Sequence, residues 1–194
     1  MLRKLGIVGL GVPLIAIIAA LVYLFLFGTS EPTFDVATRE LARDHTVLRI
    51  RDEPPTALIV PTEPPESVVL VFVLRDDERH VWAATQDLGL LDYVDSHELA
   101  VIPVAGPADS NQLNELAALA IEFVPLRRIY LVGFGGSPIS DFCDARLEVD
   151  WAGVIVVETG ATTEVERCGD LPIWKIEDEN EAGARIVQLM LESR

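Results

Sequence analysis

The order of apolar and polar positions divides the chain into three stretches. Residues 5–27 (LGIVGLGVPLIAIIAALVYLFLF) form an unbroken apolar run, and no charged side chain occurs from 5 to 30. As a helix such a run is about 35 Å long, enough to cross a hydrocarbon core of about 30 Å. It is also longer than the roughly 7–15 apolar residues of a cleaved signal peptide. Residues 31–45 (EPTFDVATRELARDH) are polar and read as a tether. From residue 46 onward, short apolar runs alternate with segments of helical periodicity. Two β-like runs, 46–51 (TVLRIR) and 56–61 (TALIVP), flank the turn 52–55 (DEPP). Residues 67–74 (SVVLVFVL) are apolar without alternation, the pattern of a strand buried on both faces of a parallel sheet. Further strands are predicted at 99–104, 128–133, 153–157 and 171–176, and helices at 81–94, 111–123, 139–146 and 181–192. Asp109 and Gln112 are placed to cap the second of these helices.

The predicted architecture is therefore α/β. A single transmembrane anchor (1–30) and a tether (31–45) precede a doubly wound, mainly parallel sheet domain (46–194). Arg3 and Lys4 are the only charges before Glu31. By the positive-inside rule they place the amino terminus in the cytoplasm, and the domain on the outer side of the inner (cytoplasmic) membrane. Within the apolar run, Gly6, Gly9, Pro13, Ala16 and Ala20 recur at spacings of three and four. This stripe of small residues suits close approach by a partner membrane helix. The alternative is that Gly, Ala and Pro are simply common in membrane helices. Gly9 and Gly11 start a dinucleotide-type glycine pattern, but the third glycine would fall on Leu14 and no strand precedes it. No cofactor is expected.

Charge narrows the field of partners. The chain has 31 acidic and 15 basic side chains, and only 13 of the basic ones lie beyond residue 30, so the outer region carries a net −18. A surface of that sign repels phosphate backbones, which argues against nucleic-acid binding. Two cysteines are too few for a disulfide scaffold or a zinc site of their own. On the outer side of the membrane, Cys143 and Cys168 would meet an oxidising compartment, which favours a disulfide between them over two buried thiols.

Residues 127–137 (RRIYLVGFGGS) join a strand to a turn and a following helix. This segment resembles the nucleophile-elbow region of α/β-hydrolases, especially the secreted esterases of the polyhydroxybutyrate depolymerase and feruloyl esterase type, and the order of elements over about 145 residues is similar. The resemblance implies a shortened α/β-hydrolase-like fold. It also exposes what is missing. The family elbow reads G-x-S-x-G. Aligned from Gly133, the nucleophile position holds Gly135, Gly136 follows it, and the final glycine is replaced by Ser137. The family places its histidine after the serine, whereas the histidines here are His45, His80 and His97. Where relatives donate oxyanion hydrogen bonds, this chain has Asp76, Asp77 and Glu78, and it ends before the strand that would carry the histidine. The degenerate elbow of Gly133, Gly135, Gly136 and Ser137 implies a catalytically inactive hydrolase-like domain.

Ser137 precedes Pro138 and reads as a helix cap rather than a nucleophile. His80 with Asp76, Asp77 and Glu78, or Glu177 with Asp178, Glu179 and Glu181, could hold a divalent cation. Both runs read more simply as a solvated loop and as favourable charge at a helix start, so no metal is expected. The first expectation for function is a non-catalytic interaction module, an accessory or stabilising subunit of a membrane complex. It would meet an integral membrane partner through the helix and the outer domain. The alternatives are an atypical esterase using Ser137 or Ser140 with His80 or His97, and a small-ligand binder. The ligand would sit in a crevice lined by residues 133–137 and 75–78.

Overall fold

The computed structural model describes residues 38–39, 41–53, 55–63, 65–75, 85–86, 88–105, 109–134, 139–143, 149–158, 165, 167–177 and 182–192, all within the unit Ala37–Arg194. The apolar run 5–27 and its stripe Gly6, Gly9, Pro13, Ala16 and Ala20 lie outside the described residues. No helix among the described residues is long and apolar enough to cross a membrane.

Seven strands form one sheet: β1 (Thr46–Asp52), β2 (Pro55–Val60), β3 (Val68–Arg75), β4 (Leu99–Ala105), β5 (Leu126–Phe134), β6 (Gly153–Val157) and β7 (Ile173–Ile176). Their order across the sheet is β1-β2-β4-β3-β5-β6-β7. β2 runs antiparallel to both β1 and β4, and the remaining pairs are parallel. The central strands owe their place to composition. The seven residues from Val68 to Leu74 and all five of β6 are buried, and their largely β-branched side chains pack on both faces of the pleat. β1 is an edge and keeps Arg49, Arg51 and Asp52 at its margin, with a register shift between Arg49 and Arg51. Charge and irregularity of this kind protect an edge from pairing with other chains.

Helices cover both faces, as the alternation predicts. On one face, α1 (Ser110–Phe123) and α2 (Ile139–Cys143) join a core built on Leu70, Phe72, Leu131 and Trp151. On the other, α3 (Ala182–Glu192) and a 3-10 turn (Leu90–Tyr93) cover Val71, Val73, Tyr130 and Val132. Asp109 caps α1, its carboxylate accepting the Gln112 backbone N–H at 2.8 Å.

Two predicted boundaries move. The helix expected at 81–94 does not run through: Gly89, at φ +64°, breaks it, and residues 90–93 form the separate 3-10 turn. Glycine adopts this left-handed conformation without a Cβ penalty, which is why it terminates helices. The last strand begins at Ile173 rather than Leu171, because Leu171 bridges back to Cys168 across a turn containing Gly169 at φ +58°.

Gly183 shows how tightly α3 is seated. A Cβ there would overlap the Leu88 carbonyl oxygen. Gly183→Ala is therefore expected to push α3 off the Leu88–Gly89 turn and cost about 2 kcal/mol, read as a lower urea midpoint at unchanged slope. An unchanged midpoint would show that α3 does not pack against this turn.

Candidate functional site

In a parallel sheet, chain connections that leave two neighbouring strands in opposite directions open a crevice at the strands' carboxyl ends. β3 leads to β4 on one side, and β5 leads to β6 on the other, so the switch point falls between β3 and β5. Their registers end together, Leu74 beside Gly133. Arg75, the last residue of β3, places its guanidinium carbon 5.2 Å from the centroid of the Phe134 ring, the last residue of β5. Phe134 is buried and Arg75 half-buried. A cation over an aromatic face at this range is held by the ring quadrupole, and the pair forms the described floor of the crevice.

The structure thus brings together the two segments expected to line it, as far as they are described. Gly133 lies within β5, and Arg75 faces it from β3. Gly135, Gly136, Ser137, His80, Asp76, Asp77 and Glu78 lie outside the described residues. Ser140 falls within α2, four residues beyond the turn that follows β5. The local architecture is a strand, a four-residue turn and a helix, which is the frame on which a nucleophile elbow is built.

Two of the three histidines are at the other end of the sheet. His97 lies two residues before the amino end of β4, and the length of β4 alone is about 20 Å at ~3.3 Å per residue. Its Nδ1 is 2.8 Å from the Ser96 hydroxyl oxygen, and its ring meets Tyr93 edge-on at 5.2 Å. His45 precedes β1, whose register through β2 places Thr46 at that same end. A simple signal carries this: in a parallel sheet, residues just before a strand and residues just after one lie at opposite ends. Of the second acidic cluster, Glu177 is exposed, while Asp178, Glu179 and Glu181 lie outside the described residues. The described His, Cys, Asp and Glu side chains form no group of three able to hold a metal.

Behind the crevice, sequence reasoning missed a cluster around Trp151. Its indole packs against Phe72 at 5.2 Å and against Phe142, edge to face, at 4.9 Å. Its Nε1–H donates to the buried Asn114 side-chain oxygen at 3.3 Å. Cys143 and Cys168 are joined in a disulfide that ties the end of α2 to the turn before β7.

No family model matches the chain, and no curated protein does. Among solved structures it is similar to the Francisella virulence factor BioJ, with 16% identity and a TM-score of 0.41 over 63% of this chain and 48% of that one. It is also similar to Est1E from Butyrivibrio proteoclasticus, with 10% identity and a TM-score of 0.42 over 77% and 98% of the two chains. A third is the fluorophosphonate-binding serine hydrolase FphF of Staphylococcus aureus, with 11% identity and a TM-score of 0.43 over 77% and 97%. The chain spans about half the length of BioJ. The class is an α/β-hydrolase-like domain, defined by its own topology: an antiparallel pair on a parallel sheet, a switch point at β3 and β5, and a strand–turn–helix leaving β5.

Proposed function

We propose that this chain is a membrane-anchored, non-catalytic hydrolase-like module that serves as an accessory or stabilising subunit of a membrane protein complex. Its helix would cross the inner membrane once and its domain would stand on the outer side. The observation that carries the reading is glycine at position 135, where the turn after β5 would present a nucleophile. Glycine has no group to attack an acyl carbon, and an acyl-transfer site without a nucleophile and its base loses the covalent route altogether. The placement of His45 and His97 at the opposite end of the sheet supports the same reading.

The test is extraction of the full chain from its native membrane in a mild detergent, followed by size separation and identification of what co-migrates. Co-migration with a defined set of membrane proteins is expected. A lone monomer would overturn the subunit role. In the same preparation a fluorophosphonate probe should leave the chain unlabelled.

One observation favours a second reading. His80 follows β3, and Ser137 and Ser140 follow β5, two strands whose carboxyl ends are adjacent. An atypical esterase built from these residues would label with the probe, and Ser137→Ala or Ser140→Ala would abolish the label.

A further inference from the structure

At the amino ends of β3 and β5, remote from the crevice, a cavity of about 240 Å3 is lined by Val69, Arg127, Arg128 and Met190. Two consecutive residues of a regular strand point to opposite faces of the sheet, yet both arginines line this one cavity. The register explains how. Val68 pairs with Leu126 and the next residue, Val69, pairs with Arg128, so Arg127 is an extra residue bulged out of the ladder. Bulges in parallel pairs are rare, and bulges re-aim side chains next to functional sites. This one gathers two guanidinium groups on a domain that otherwise carries a large excess of acid.

Both guanidinium groups are already oriented. Arg127 is 3.8 Å from the Glu98 carboxylate, and Arg128 donates to the Tyr130 hydroxyl at 3.5 Å. Glu98 itself has φ +53°, a left-handed conformation that costs a non-glycine residue energy. Its side chain is half exposed, and an exposed ion pair of this length is held weakly. A carboxylate near Arg127 is thus accommodated by the geometry and replaceable by another. Val69 and Met190 give the rest of the wall an apolar character, and Met adapts to irregular shapes. The volume is below the ~300–1,000 Å3 of pockets for drug-sized ligands, so the occupant is small. Long-range repulsion by the acidic domain grows with ligand charge, which selects a monoanion over phosphate or a nucleotide.

We propose that this cavity binds a small amphiphilic monocarboxylate, with its carboxylate on the Arg127 and Arg128 guanidinium groups and its short alkyl part against Val69 and Met190. Guanidinium pairs recognise carboxylates through paired, charge-assisted hydrogen bonds.

The experiment is calorimetric titration of the full chain, in a neutral maltoside detergent, with hexanoate. Hexanol and acetate serve as probes lacking the charge or the alkyl chain. Hexanoate should bind more tightly than either. R127Q/R128Q should weaken it roughly tenfold or more, whereas R49Q, at the β1 edge, should leave it unchanged. Equal binding by R127Q/R128Q, equal binding of hexanol, or stronger binding of inorganic phosphate would overturn the proposal. A photoreactive diazirine analogue of hexanoate on the unaltered chain decides independently of variant folding. Cross-links should map to the Val69 and Met190 segments, and cross-links confined elsewhere would refute the site.

Discussion

Trp151→Ala should destabilise the domain by about 4 kcal/mol, the range for emptying a large aromatic site in a core, measured as a fall in the urea midpoint. The ring is where three elements meet. Phe72 comes from β3, Phe142 from α2 and Asn114 from α1, and all of them touch Trp151 just before β6. Alanine would open a cavity between the two phenyl rings and leave the Asn114 oxygen buried without its donor. Since a whole domain is stable by only about 5–15 kcal/mol, this one change consumes a large share. The polar part can be separated from the packing part. Trp151→Phe retains most of the aromatic area and should cost about 1–2 kcal/mol. Pairing it with Asn114→Leu should recover part of that loss, because no orphaned polar group remains. The Asn114 amide nitrogen already lacks a hydrogen-bond partner. A Trp151→Ala loss below about 1 kcal/mol would show that the ring does not organise this core, since such losses are typical of surface changes.

What could be read in advance follows from how local each signal is. β3 and β6 announce themselves because a run such as VVLVFVL is explicable only by burial on both faces, a property of the strand alone. The helix cap at Asp109 and the glycine-rich turn after β5 are equally local. The bulge at Arg127 could not be read. RRIYLVG scans as an ordinary strand, and the extra residue exists only relative to the register with Val68 and Val69. Asn114 was hidden for the opposite reason: a polar residue in NQLNELAALAIEF looks like part of the solvent face until Trp151 supplies a partner 37 residues away. His97 could have been set aside from sequence. It stands before a strand of a parallel sheet while the elbow stands after one, and that order alone separates them by the length of the strand.

The disulfide links stability to the proposed topology. Cys143 and Cys168 are 25 residues apart and close a loop containing β6, so in the chain-entropy account the bond removes about 3.5 kcal/mol of unfolded-state freedom. Cys143→Ser with Cys168→Ser should lower stability by about 3 kcal/mol, and reducing agent should do the same to the unaltered chain. The site is also next to Trp151, since Cys168 is buried in the same core and Cys143 follows Phe142. Losses from Trp151→Ala and from the paired serine substitutions should therefore not add, as expected for contacts that share neighbours. Disulfides persist in oxidising compartments and are rare where the cytosolic thiol pool operates. With Arg3 and Lys4 holding the amino terminus inside, a domain on the outer side would keep this bond. The decisive measurement is maleimide labelling of the chain taken from its native membrane and denatured. Neither cysteine should react until a reductant is added. Immediate labelling of both would mean that the bond does not form where the protein resides, and the outward-facing domain would lose its support.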